Sequence, residues 1–170
     1  AKRWEKKTQR EFELWAKSKQ CDAIKVNNFY EMQQIACMSW LTNGDAVGLI
    51  EYCDEEKAFM PYELRIHLIE SDKVCNPQST GAYVNLWETN PDNGNRIYNG
   101  VEIDSKGGVV AYHICNTYPN SALVTQKKWT RVKAFGDRTG MPNVLMIFES
   151  ERAEQYRGVP YLAPVIEALK

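Results

Sequence analysis

Two histidines, His67 and His113, and five cysteines, at positions 21, 37, 53, 75 and 115, are the side chains best suited to nucleophilic or metal chemistry. His113 and Cys115 lie two apart in an alternating pattern, so they share a strand face, and an imidazole beside a thiol can lower its pKa. Neither stands in a nucleophile motif. The odd, widely spaced cysteines contain no C-x-x-C pair, which argues against both a disulfide framework and a zinc knuckle. H-E-x-x-H is absent, and Asp54-Glu55-Glu56 beside Lys57 reads as a solvated turn rather than a cation cup. A glycosidase-type carboxylate pair cannot be assigned from spacing. Gly107-Gly108 precedes a strand and Gly136-Asp-Arg-Thr-Gly140 lacks a lysine and a following helix, so neither is a phosphate loop. The expectation is a chain with no catalytic residue, no metal and no cofactor.

A different chemistry is open to Lys127, Lys128, Trp129, Arg131 and Lys133. Cations interleaved with an aromatic ring can neutralise and stack on a single nucleic-acid strand. Alternation puts Trp129, Arg131, Lys133 and Phe135 on one face, so a single-strand-binding module is the alternative reading. Against it, 21 Lys/Arg oppose 22 Asp/Glu and the pI is 6.2, which leaves no global basic field. Residues 1–20 carry seven Lys/Arg and three Asp/Glu, a net +4, and the remainder carries fourteen and nineteen, a net −5. The basic start reads as a solvated helix face.

These residues need elements to position them. With 170 residues, 44% hydrophobic and 25% charged, the chain has the size and composition of one globular domain. No apolar run approaches a membrane span, and AKRWEKKTQR has no signal-peptide core, so a soluble, unexported chain in a reducing compartment is expected, with no membrane partner. Trp4, Thr8, Phe12 and Trp15 form a helical stripe over residues 4–17. Asn28 with Glu31 forms a capping box for a second helix carrying Phe29, Met32, Ala36 and Trp40, which Asn43-Gly44 ends. The period then changes to two. Strands are predicted over 46–52, 62–68 and 83–87, over 97–104 turning at Gly107-Gly108 into 109–115, and over 130–135 and 144–148. Residues 75–81 and 89–95 read as turns. Leu162, Val165, Ile166 and Leu169, with Pro164 in the first turn, predict a last helix.

The fold class is therefore α+β, a single domain spanning 1–170: helical to about residue 42, mainly antiparallel β from 45 to 149, and a C-terminal helix beginning at 160. The chain lacks an initiator Met, and VIEALK stops without a terminator, so it is expected to be a piece of a longer protein. In EQYRGVPYLAP, a glycine after Arg157 and two prolines four apart imply a defined path into that helix, with Gln155, Arg157, Gly158, Pro160 and Pro164 as structural residues.

GVEIDSKGGVVAYHI (100–114), WTRVKA (129–134) and NVLMIFESERAEQYRGVPYLAPVIEALK (143–170) together resemble, in order and spacing, the lambda-type portal proteins of tailed bacteriophages. The upstream tryptophan helix and the NF-E-Q helix entering Asn-Gly-Asp also fit. Lys133 stands where the family has proline, Met146 where it tends to have histidine, and Ala153-Glu154 where it has Pro-Gly. The resemblance implies a structural subunit without catalysis, the outer or wing part of a twelvefold ring at one capsid vertex. Its implied partners are further copies of itself, terminase, capsid and neck or tail proteins, and double-stranded DNA passing through the channel. It further implies a location in the virion and in the host cytoplasm during assembly, with the stem helix, clip and crown beyond Lys170. This piece alone would be a monomer or weak dimer. A positive φ at Gly158 would make a Gly158→Val change destabilising.

Overall fold

A computed structural model describes residues 2–53, 60–78, 87–119 and 127–165. It opens with α1 (Lys2–Lys17) and α2 (Phe29–Asn43). The Asn28 side chain accepts from the Tyr30 and Glu31 amides at 3.0 Å, and the Glu31 carboxylate accepts from the Asn28 amide at 2.7 Å. This is the predicted capping box, and it satisfies donors that a helix start otherwise leaves open. At the other end Gly44 has φ +92° and its amide donates to the Trp40 carbonyl at 2.9 Å. Between the helices the buried Asp22 carboxylate accepts the amides of Ile24, Val26 and Asn27 at 3.0–3.1 Å, which fixes the connection.

Among the described residues seven strands follow in two antiparallel sheets: β1 (Asp45–Tyr52), β2 (Leu64–Ile69) and β7 (Val144–Phe148) in the order β2-β1-β7, and β3 (Arg96–Tyr98), β4 (Val101–Ile103), β5 (Val109–Cys115) and β6 (Trp129–Lys133) in the order β3-β4-β5-β6. Helices and antiparallel sheets make the architecture α+β. Two cores hold it. Trp15, Ala16, Cys21, Met32 and Met60 are buried with Tyr62, Leu64, Ile66 and Leu68 against them, and the Trp15 indole donates to the Leu64 carbonyl at 2.8 Å. Val47, Val74, Val101, Ile103, Tyr112, Ala134 and Val144 form the second core, to which both sheets contribute. The first sheet thus lies between the helices and the second sheet.

Several elements differ from the sequence expectation. The strand predicted over 97–104 is two strands, because Tyr98 pairs with Val101 across Asn99-Gly100, at φ +46° and +83°. Two consecutive positive φ values are what a two-residue type I′ hairpin requires. The predicted C-terminal helix is not formed among the described residues, where Ala163–Val165 is a single 3-10 turn. Leu162 and Val165, the described part of the face that would stabilise such a helix, are half exposed, and Ile166 and Leu169 lie outside the described residues. The stripe on α1 is covered only at its C-terminal end: Trp15 is buried while Trp4 is 71% exposed. The strand expected over 83–87, apart from Trp87, and the acidic triplet at 54–56 lie outside the described residues.

Candidate functional site

The EQYRGVP segment passes over the junction of α2 and β1, and Arg157 anchors it there. Because Gly44 ends α2, Asp45 falls at the first position of β1, where its side chain is 2% exposed. Arg157 Nε donates to Asp45 Oδ2 at 2.5 Å and Nη2 to Oδ1 at 3.2 Å. Its remaining N–H groups reach the carbonyls of Val74 and Asn99 at 2.7 Å and Ser71 at 3.0 Å. All five guanidinium donors are engaged, which a lysine at this position could not reproduce. The Gly158 amide also donates to Asp45 Oδ2, at 3.3 Å. One side chain therefore ties the segment to β1, to the 3-10 turn Ser71–Lys73 and to the β3-β4 hairpin.

The neighbouring residues serve the same path. Gln155 Nε2 donates to the Arg157 carbonyl at 2.9 Å, and its Oε1 accepts from the Glu151 amide at 3.0 Å, closing a loop ahead of the arginine. Tyr156 stacks on Tyr98 at 5.9 Å and donates to the Gly107 carbonyl at 3.1 Å. Gly158 is not among the glycines with positive φ, so the reason expected for glycine here is replaced by another: a Cβ at Gly158 would overlap the Gly44 backbone carbonyl. The two glycines let the backbones touch. Beyond them the Tyr161 amide donates to the Leu41 carbonyl at 3.1 Å, the Pro160 carbonyl accepts from Ala163, and Pro164 sits inside the 3-10 turn.

A second polar constellation, which no sequence motif announces, surrounds Glu102, whose side chain is fully buried on β4. Arg131 grips it with Nε to Oε2 at 2.7 Å and Nη2 to Oε1 at 2.9 Å. Asn93 and Asn95 donate to Oε1 at 2.8 and 2.9 Å, and Asn90 to Oε2 at 3.1 Å. His113 Nε2 lies 2.9 Å from Oε2 and, facing an acceptor-only carboxylate, carries the proton. Burial alone would raise the Glu102 pKa, but the hydrogen bonds from Arg131, Asn95, Asn93 and His113 together hold it far below the ordinary carboxylate range. Burial pushes His113 down, against the opposing pull of Glu102, so the imidazole is neutral at neutral pH. The cage pins the 89–95 turn region to the second sheet. The asparagine-rich stretch TNPDNGN was the only sequence signal for it.

The other candidate residues fall into place individually. His113 and Cys115 are both buried, and the imidazole is committed to Glu102 rather than to the thiol, whose partner is the Asn116 side chain at 3.8 Å. Burial raises the Cys75 and Cys21 thiols, which disfavours thiolate. His67 pairs with Glu51 at 2.9 Å. Among the described residues no group of three or more His, Cys, Asp or Glu is arranged to hold a metal ion. In the basic cluster Arg131 serves Glu102, Lys133 pairs with Asp137 at 2.5 Å, Lys127 donates to the Pro119 carbonyl, and the Trp129 indole donates to Cys75 Sγ at 3.3 Å. Lys128 is exposed. The strand is thus shared between internal ion pairs and solvent.

These arrangements hold chain segments in place. Among the described residues, no helix is long and apolar enough to cross a membrane. No curated protein matches the chain. The family model for the phage portal protein, lambda family, matches residues 1–170. The chain therefore belongs to the lambda family of phage portal proteins, structural connectors for DNA packaging at the capsid vertex.

Proposed function

We propose that this chain is the wing part of a portal subunit, one of twelve in a ring that conducts double-stranded DNA into and out of the capsid and that offers terminase and then the neck or tail their attachment surface. The observation that carries this reading is the family match over the whole of residues 1–170. The fold is in keeping with it: the clasp at Arg157 fixes where the chain leaves the two-sheet body, so Gln155, Arg157, Gly158, Pro160 and Pro164 set the direction taken toward the stem of the ring. The near-zero net charge suits a conduit, because a strongly basic surface would hold DNA through its phosphates instead of letting it slide. Assembly takes place in the host cytoplasm, before the particle is filled.

Immunogold labelling of particles that carry the protein, with antibody raised against this chain, tests the placement. One labelled vertex per particle, at the tail junction, is the expected result. Label distributed over many vertices, or along the tail alone, contradicts it.

A further inference from the structure

A cleft of about 1150 Å³ lies between the 93–99 stretch, the 104–107 turn and the 152–159 segment. Sites built for small molecules occupy about 300–1,000 Å³, so this one has room for a length of chain. Tyr98 and Tyr156, from two different walls, stack at 5.9 Å, and the Tyr156 hydroxyl donates to the Gly107 carbonyl of the third, which fixes the walls to one another. Tyr98 is nevertheless 44% exposed, which leaves part of its ring open. Beside Gly94 the space is empty, since an added Cβ would meet nothing within 4 Å.

Each wall contributes one exposed cation: Arg96, Lys106 and Arg152. Among the described residues none of the three is paired with a carboxylate, and Arg96 donates one N–H to the Tyr98 hydroxyl at 3.1 Å. Two carboxylates oppose them. Asp104 Oδ1 accepts the Lys106 and Gly108 amides at 2.8 Å, and Glu154 is exposed. Outside the neutral Arg157–Asp45 pair the lining is therefore positive, with three cations against two anions that alternate with them at 104/106 and 152/154. That alternation discriminates between polyanions. A nucleic-acid strand carries a charge at every phosphate and is repelled at Asp104 and Glu154. An extended peptide advances about 3.3 Å per residue with its side chains alternating, so its acids can meet the cations while neutral residues pass the carboxylates.

We propose that this cleft takes an extended acidic peptide segment of a partner protein, with its carboxylates on Arg96, Lys106 and Arg152 and an apolar side chain against the open part of the Tyr98 ring. The segment that Arg157 clasps is one wall of the cleft, so the same residues that fix the path of the chain also shape the binding surface.

Fluorescence anisotropy of labelled hexaglutamate with the full-length gene product tests this, with hexaglutamine and hexathymidylate as comparison probes. Hexaglutamate is expected to bind, more weakly as salt is raised, and hexaglutamine not to bind. Arg96→Gln, Lys106→Gln and Arg152→Gln should each raise Kd about threefold, and the three together about tenfold or more. Glu154→Gln, which removes an opposing charge, should lower it. Lys128→Gln, at an exposed cation outside the cleft, should leave it unchanged. All five side chains are exposed, so thermal melts should match the unaltered protein. Absence of hexaglutamate binding at millimolar concentration overturns the proposal, as does equal weakening by Lys128→Gln and the triple variant. Tighter binding of hexathymidylate, lost in the triple variant, overturns it in favour of a nucleic-acid strand.

Discussion

Arg157 and Asp45 are 112 positions apart in the chain and 2.5 Å apart in the fold. The carboxylate is nearly fully buried and the guanidinium is 18% exposed, so removing one partner strands the other in a site water barely reaches. Arg157→Ala and Asp45→Ala are each expected to cost about 3–5 kcal/mol. Because Arg157 also holds three carbonyls, Arg157→Lys should recover only part of this. Denaturant titration of the three variants checks the order; an Arg157→Lys protein as stable as the unaltered one contradicts the fork-shaped recognition described here.

Gly158→Ala should be at least as damaging, by about 3 kcal/mol or more, because the added carbon overlaps the Gly44 carbonyl on a backbone that cannot yield. Gly94→Ala is the control: it carries a positive φ but its added carbon meets nothing. It should cost about 1 kcal/mol. Equal melting temperatures for the two variants would contradict the close approach of the two backbones as the reason for glycine at 158.

Little of that clasp was legible in advance. The caps of α2 and the alternation in β2 were readable because each is written within a few residues. The EQYRGVP segment announced a special path through its glycine and prolines, yet nothing local names Asp45 as its anchor. The Asn99-Gly100 turn carried its own signal, an Asn-Gly pair between Tyr98 and Val101, and was obscured by the Gly107-Gly108 pair eight residues on. The C-terminal helix was predicted from apolar spacing and a proline in its first turn, and neither supplies the surface such a face must pack on. The Glu102 cage was hidden for a further reason, since its six donors come from the 89–95 region, β5 and β6.

That cage sets the acid sensitivity. The folded state disfavours protonated His113, so its contribution is complete above the ordinary histidine value of 6.5 and falls as pH drops below it, where the unfolded chain takes the proton first. The folded pKa of Glu102 is depressed, so its contribution is complete above 4.5 and is lost progressively as pH falls below that. Melting temperature should therefore decline in two stages between pH 7 and pH 3. His113→Gln, which keeps a donor toward Glu102, should flatten the upper stage, and Glu102→Gln the lower. A profile that keeps its full upper stage in His113→Gln would assign that stage to another group.

Gly100 meets both constraints found separately at Gly158 and Gly94. Its φ is +83°, and an added carbon would lie 2.5 Å from the Cys75 amide nitrogen. Gly100→Ala should open the β3-β4 hairpin and release the Asn99 carbonyl from Arg157, lowering stability by about 2 kcal/mol or more. Faster amide hydrogen exchange over residues 96–103 is the expected signature; unchanged exchange there would refute it.

The central claim is that this chain builds a portal ring, and electron microscopy of the purified full-length gene product, with its mass from light scattering, tests it most directly. Rings with a central channel and a mass near twelve subunits are the predicted result. A monodisperse monomer that forms no rings at any accessible concentration would contradict the account.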